Sequence, residues 1–413
     1  MDRLHYRNCG SCFDFPASLC IAANIRKGYF IIAFIYDFCG TGIPVFDKTG
    51  RGDTAAYKKG FVRRKERAKA ITMQKDISRI LIESVINKTL KDITVSPRRT
   101  ARNLIDMGVN FSKGRFQKLF LSSAQEFLQN QNSAYYDLIT DVSDHVDKKI
   151  ISTFGMNLGY NGCTRGAKKI REIKKNRHFH VPWSLSLALD KEKMEEDCSV
   201  YRSIISQGKA LGIFVYLLKT EEGQLGMLLP LLEENQDCAF VLFLENTELP
   251  QYFLTDIRKI RNTMICVKDS EKAADLCPRL REEHLLYAIY SYYSEENEES
   301  IVSGRWLHEM MALHPYFVLL APFPSCCPET CNRVYEYILS VCNGQKDAVI
   351  AMDLLQDSWK INEIISEESC DVGFNADGSV RVHNRNGIEK INMQNIFHSS
   401  VEEILKAAVP GRR

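Results

Sequence analysis

Seven short apolar runs, at residues 184–189, 213–218, 240–244, 264–267, 285–290, 317–321 and 348–352, recur with centres about 23 to 32 residues apart. That interval is the length of one strand, one helix and two short connections. The gaps carry helix-like sequence, clearest at 199–211, 225–234 and 328–342. Strands that alternate with helices at this spacing pair in parallel, since each right-handed crossover returns the chain along one face of the sheet. The expectation is an α/β chain with a partial or complete parallel (β/α) barrel over 181–369. There the rhythm stops. Residues 372–382 (VGFNADGSVRV) read as a hairpin turning at Asp377-Gly378, and 400–408 as a closing helix before Pro410. A hairpin and C-terminal helix are therefore expected over 370–413.

Upstream the period is helical. Ile77, Ile80, Leu81, Ile86 and Leu90 fall on one face. Ser96-Pro97 reads as an N-cap and first helical residue, and Gly108 as a stop. Phe116, Phe120, Phe127 and Leu128 mark a second face; Tyr136, Ile139, Val142, Val146 and Ile150, after Ser133, mark a third. Thr164 reads as the cap of a short basic helix carrying Lys168, Lys169, Arg171, Lys174 and Lys175. Residues 73–180 thus form a helical region. Residues 1–72 differ, with 13 lysines and arginines against 6 acidic residues, Cys9, Cys12, Cys20 and Cys39, and no sustained period. They read as an atypical appended segment, or as an over-extended start ahead of Met73. Cys9 and Cys12 lack a second pair at zinc spacing and read as incidental thiols. The basic run at 58–69 reads as a solvated tail rather than a nucleic-acid or lipid contact.

Composition removes several function classes. A net charge of +2 over 413 residues gives no whole-chain field for nucleic acid. The longest apolar run, 28–38, contains Asp37 and is far shorter than the ~20 residues of a membrane helix. With no secretion signal, the 14 cysteines are not expected to form an extracellular disulfide framework, and the expected location is cytoplasmic. Cys238 and Cys266 lie in or beside apolar runs and read as small buried hydrophobes.

Catalytic signatures are sparse. There is no Gly-x-Ser-x-Gly elbow, Walker loop or His-Glu-x-x-His helix. The glycines of 155–166 do not follow a strand, which argues against a dinucleotide site. His178 and His180 flank Phe179 without a third ligand and read as surface residues. Cys326, Cys327 and Cys331 form the one dense thiol group, a weak metal or redox candidate with Cys342, His308 or His314 as further donors. The competing reading is a proline-flanked loop with buried helix thiols. Asp190, Glu221, Glu222, Glu245 and Asp269 fall at strand C-termini. A barrel would gather them on one rim as acid–base groups or an acidic metal site, or they are simply polar strand ends. Tyr287, Tyr290, Tyr292 and Tyr293 read as core and rim packing.

One stretch carries a family likeness. Residues 155–161 (GMNLGYN), then Thr164, Gly166-Ala167-Lys168, Ile170-Arg171-Glu172 and Val181-Pro182-Trp183, resemble the lead-in to the barrel of radical S-adenosylmethionine (radical SAM) proteins from anaerobic Firmicutes. Further similarities keep the same order: Ile204-Ile205, Gly208-Lys209, Leu211-Gly212-Ile213, Asp237-Cys238 with Phe240, Asn246-Thr247, and Asn375-Ala376 with Gly378. The likeness covers about residues 76–405, is strong over 154–215 and thin after 270.

The resemblance implies a four-iron–four-sulfur cluster on three cysteines in the loop after the first strand, with one iron open to S-adenosylmethionine. This chain departs from that pattern. The loop is 190–197 (DKEKMEED), followed by Cys198 alone. Where the family has a Gly-Gly-Glu-Pro turn, Thr220-Glu221-Glu222-Gly223 stands, and only Glu222 matches. The cysteines that follow the hairpin in the family are replaced by Ser379-Val380-Arg381-Val382-His383. Cys327 and Cys331 have the family's first spacing, but Val334 takes the third position. The expectation is a degenerate radical SAM-like protein without cluster or cofactor, a binding or scaffold protein whose partner is another protein such as an intact relative. The basic helix at 168–175 is a candidate contact surface. The alternative is an enzyme that holds a cluster and S-adenosylmethionine through unusual ligands, or uses the acidic rim.

Overall fold

The computed structural model describes Ser84, Lys88, Thr89, Asp92 and residues 96–411, other than 112–114, 197, 221–223, 246–248, 369 and 385–386. The readings made for residues 1–72, and for Glu221 and Glu222, lie outside the described residues.

Among the described residues from 97 onward the lead-in helices are α1 (Pro97–Phe111), α2 (Arg115–Gln129), α3 (Tyr135–His145) and α4 (Lys148–Met156). Helix α1 runs through Gly108, read from sequence as a stop. An interior glycine costs only ~1 kcal/mol, which the buried face of Ala101, Leu104 and Ile105 outweighs. Nor does a break precede the basic helix. Helix α4 passes into a π-helical segment, Asn157–Gly166, and on into α5 (Ala167–Arg177), so Thr164 is no cap. The wide turn has a structural use. Asn157 Nδ2 donates to the carbonyls of Gln236 (2.7 Å) and Cys238 (2.8 Å), and Asn161 Nδ2 to that of Asp237 (2.9 Å), fixing the approach to the third strand. Gly166 is required by proximity, because a Cβ there would stand 2.3 Å from the Gly212 carbonyl oxygen.

Seven parallel strands follow in chain order at the seven apolar runs: β1 (Ser184–Ala188), β2 (Val215–Thr220), β3 (Ala239–Leu244), β4 (Thr263–Lys268), β5 (Tyr287–Tyr293), β6 (Phe317–Pro322) and β7 (Ile350–Asp353). Between them run α6 (Lys191–Glu196), α7 (Ser199–Leu211), α8 (Leu225–Glu234), α9 (Gln251–Ile257), α10 (Ala273–Glu282), α11 (Glu298–Val302), α12 (Arg305–Met311) and α13 (Pro328–Gly344). Strand β3 is buried at every position, as a continuous apolar run covered on both faces must be.

The rhythm does not stop at β7. Helix α14 (Leu354–Ser366) leads into β8 (Cys370–Phe374), which pairs in parallel with β1 through Leu185↔Val372, Ser186↔Gly373 and Leu187↔Phe374. Strands β9 (Ser379–Asn384) and β10 (Gly387–Asn395) extend that edge antiparallel, turning at Asp377-Gly378 with Gly378 at φ 78°. The order is β10-β9-β8-β1-β2-β3-β4-β5-β6-β7, a partial parallel barrel open between β7 and β8. Helix α14 packs on β6, β7 and β8 beside that opening, and on α5. The basic helix α5 serves this packing. Arg171 donates to the Ile365 carbonyl (3.3 Å), and Lys174 to that of Ser366 (2.9 Å) while pairing with Glu367 (2.9 Å). Cations thereby meet the negative end of α14. The chain closes with α15 (Val401–Ala408), begun by a capping box between Ser400 and Glu403. Among the described residues no helix is long and apolar enough to cross a membrane.

Candidate functional site

Side chains alternate across a strand, so every second residue of the partial barrel faces inward. Ser186 and Ala188 of β1, Leu217 and Lys219 of β2, Phe243 of β3, Lys268 of β4, and Tyr290 and Tyr292 of β5 line one cavity of about 1260 Å3. Helix α14 contributes Trp359, Lys360 and Glu363, and β8 and β9 contribute Asp371, Gly373, Arg381 and His383. The volume exceeds the ~300–1,000 Å3 of an ordinary small-molecule pocket.

On the β2–β5 side one carboxylate stands between two lysines. Glu245, just beyond β3, receives Lys219 at 2.8 Å on one oxygen and Lys268 at 3.1 Å on the other, and the Tyr292 hydroxyl donates to it at 3.2 Å. Burial alone would raise the Glu245 pKa; its bonds to Lys219 and Lys268 outweigh that and hold it below the usual value. Tyr292 also lies under both ammonium groups and against Phe323, which is 45% exposed at the rim.

The β8–β9 side differs. Asp371 pairs in register with His383, and Gly373 with Arg381. Burial pushes the Asp371 carboxyl up to about 6 despite the Arg381 charge, and burial together with that charge pushes His383 down to about 4. Arg381 Nε and His383 Nε2 are buried without a hydrogen-bond partner. A Cβ at Gly373 would stand 3.3 Å from Ser186 Cβ, a tight approach across the β1–β8 pair, and 3.4 Å from Arg381 Nη2, an ordinary contact. At the foot of α14 two further carboxyls are buried. Asp353 accepts from the Tyr293 hydroxyl (2.7 Å) and from the Leu355 and Gln356 amides, and Asp357 from the Tyr335 hydroxyl (3.0 Å) and the Asp353 amide (3.0 Å). Burial raises both, and each Asp357 charge is further opposed by Asp353.

The acidic rim read from sequence disperses among the described residues. Asp190 caps α6 by accepting from the Lys193 amide (2.8 Å), Asp269 accepts from Trp306 Nε1 (2.6 Å), and Glu245 alone of the three lines the cavity. Of the thiol group, Cys326 and Cys331 reach the cavity beside each other. Burial first, and then its neighbour Cys331, pushes Cys326 up to about 12; burial also raises Cys331. Cys327 begins α13, Cys342 is buried against the Ala351 carbonyl, and His308 and His314 are exposed. Among the described residues no three His, Cys, Asp or Glu side chains converge as a metal site. His180, read as a surface residue, is 5% exposed and meets Glu368 at 3.3 Å; His178 is exposed in a left-handed cap after α5. Tyr287, Tyr290 and Tyr293 are buried, with hydroxyls bonded to Leu313, Leu244 and Asp353 respectively.

The segment after β1 does not fit a cubane cluster. It folds as a capped helix, α6, held by Lys191–Glu195 and Lys193–Glu196 pairs. Its one following thiol, Cys198, donates to the Met227 carbonyl (3.8 Å) and does not line the cavity.

Sequence reasoning missed Arg381 and His383 as site residues, and Lys219, Lys268 and Trp359 as lining. A signal existed: Val380 and Val382 alternate with Arg381 and His383, which puts the two polar residues on one face of a strand.

No protein-family model and no curated protein matches the chain. Solved structures that resemble it include Streptococcus suis SuiB bound to S-adenosylmethionine, at TM-score 0.40 and 11% identity, over 58% of this chain and 66% of that one, just under two thirds of its length. SuiB bound to precursor peptide SuiA gives 0.40 and 10%, over 58% and 67%, and SuiB alone 0.40 and 9%, over 80% and 78%. A likeness of that degree leaves the function open.

Proposed function

We propose that this chain is a degenerate radical SAM-like protein that has kept the barrel and lost the cluster, and that it works by binding in its cavity. The observation that carries this reading is the segment after β1, where the resemblance calls for three cysteines. A capped, charge-paired helix stands there, and Cys198 behind it is engaged by the Met227 carbonyl. The two thiols that do reach the cavity, Cys326 and Cys331, have raised pKa values, which disfavours the thiolate a metal needs. A protein partner, such as an intact relative, would meet the rim at Phe323.

The test is to produce the full chain anaerobically with iron and sulfide, then measure bound iron and the absorbance at the blue edge of the visible. The expected result is no stoichiometric iron, and no heat on titration with S-adenosylmethionine. About four irons per chain would overturn the reading. Glu222, the one residue matching the family's cofactor turn, is tested in the same titration: Glu222→Gln is expected to change nothing.

A further inference from the structure

The two sides of the cavity hold cations of different standing. Lys219 and Lys268 share the single carboxylate of Glu245, each on one of its oxygens. The Arg381 charge acts on Asp371, but its Nε is buried without a hydrogen-bond partner, as is His383 Nε2 beside it. A buried donor left without a partner costs about 1–3 kcal/mol, so a fold keeps one where something else supplies the acceptor. Four cationic side chains, Lys219, Lys268, Lys360 and Arg381, face three carboxylates, Glu245, Glu363 and Asp371, around the cavity. An excess of positive charge in a partly enclosed space favours an anion and disfavours a cation such as a sulfonium. The wall also presents five flat aromatic side chains: Phe243, Tyr290, Tyr292, Phe323 and Trp359. Trp359 is held beside the arginine strand by donating Nε1 to the His383 carbonyl (3.1 Å).

We propose that the cavity takes a small molecule made of a flat ring and an anionic group, carboxylate or phosphate, with the anion seated on Arg381 and the ring among Trp359, Tyr290 and Tyr292. This rests on the reading of the cavity as a binding site. Arg381 presents fixed donors in a fork that matches two oxygens of such a group. His383, neutral at physiological pH because its pKa lies at about 4, offers Nε2 as a second polar contact without adding charge. The guanidinium with its unpartnered Nε is the feature that separates this ligand from a neutral ring.

The test uses the full chain and three probes in calorimetric titrations: indole-3-carboxylate, phenyl phosphate and the neutral indole-3-carboxamide. One of the two acids is expected to bind, which also tells carboxylate from phosphate, and the carboxamide is expected to bind at least about tenfold more weakly. Arg381→Met should lose about tenfold or more in acid affinity with the carboxamide unchanged, and Arg381→Lys should keep part of it. Equal binding of carboxamide and acid, unchanged acid binding by Arg381→Met, or no binding by either acid overturns the proposal. If Arg381→Met does not fold, the wild-type protein decides: acid should raise its melting temperature and carboxamide should not, and the reverse or equal shifts overturn the assignment. Iron in the purified protein would sink the cluster-free reading and leave these titrations standing; failed titrations without iron would do the opposite.

Discussion

The two sides of the cavity show how differently one barrel treats its buried polar groups. On the β2–β5 side, Glu245, Lys219, Lys268 and Tyr292 satisfy one another, and Glu245 is held ionised by its two lysines. On the side built by α14, β8 and β9, the buried Asp353 and Asp357 and the half-buried Asp371 have raised pKa values, and Arg381 and His383 carry orphaned nitrogens. The first arrangement stabilises the fold as it stands. The second costs stability in the free protein, and such strain is retained at sites that something else completes.

The largest effect that sharpens this contrast is expected at Asp357. Its folded pKa is raised above the unfolded value of 3.8, mainly by burial. The folded state therefore holds a proton that the unfolded state has released. The stability it contributes is fully present below the unfolded value and is lost as pH rises through the folded one. Asp357→Asn mimics the protonated acid, so the variant should match the wild type near pH 4 and exceed it by about 2 kcal/mol near pH 8. Urea midpoints across that range measure the difference. A gap that stays constant with pH would place Asp357 among ordinary ionised surface carboxylates.

Glu245→Leu should act oppositely. It leaves Lys219 and Lys268 facing each other with no counter-charge, at a site where the glutamate side chain is 16% exposed and the lysines are 47% and 34% exposed. Solvent reaches the lysines, so the expected loss is about 1–2 kcal/mol, below that of a fully buried pair. Adding Lys268→Met should recover part of it by removing the repulsion. A neutral Glu245→Leu would erase the distinction between the two sides.

The barrel was legible in the sequence because its strands are local, contiguous apolar runs: β1 to β7 fall where 184–189 through 348–352 predict them. What was not legible is non-local. Residues 370–374 (CDVGF) are short and glycine-containing, and nothing in them says that they pair with β1 across more than 180 residues rather than only with β9. That missed pairing hid the site, because Arg381 and His383 reach the cavity only once β8 joins β1. Glu245 was legible as a strand-end acid, but the two lysines that neutralise it lie on other strands, and a carboxylate list without its counter-ions reads as an acidic rim. Gly108 and Thr164 misled for a third reason: packing across the lead-in helices and the Asn157 bonds to the β3 approach outweigh local stop and cap signals.

The smallest effect is the most specific. His383 is neutral in the fold at pH 7, its pKa lowered to about 4 by burial and by Arg381, and Nε2 has no partner. His383→Leu removes an unsatisfied buried group while leaving the backbone carbonyl that Trp359 uses, so stability should rise by up to about 1 kcal/mol. The sign with pH follows from the depressed pKa. Between about 4 and the unfolded value of 6.5 the unfolded chain binds a proton that the folded chain refuses, so the wild type weakens as pH falls through that window and the leucine variant does not. The gain should therefore widen in mild acid, read as a growing difference in urea midpoint. If the same variant also weakens acid binding, a residue that harms the free fold and helps the complex has been identified, which is what separates a ligand contact from a defect of packing.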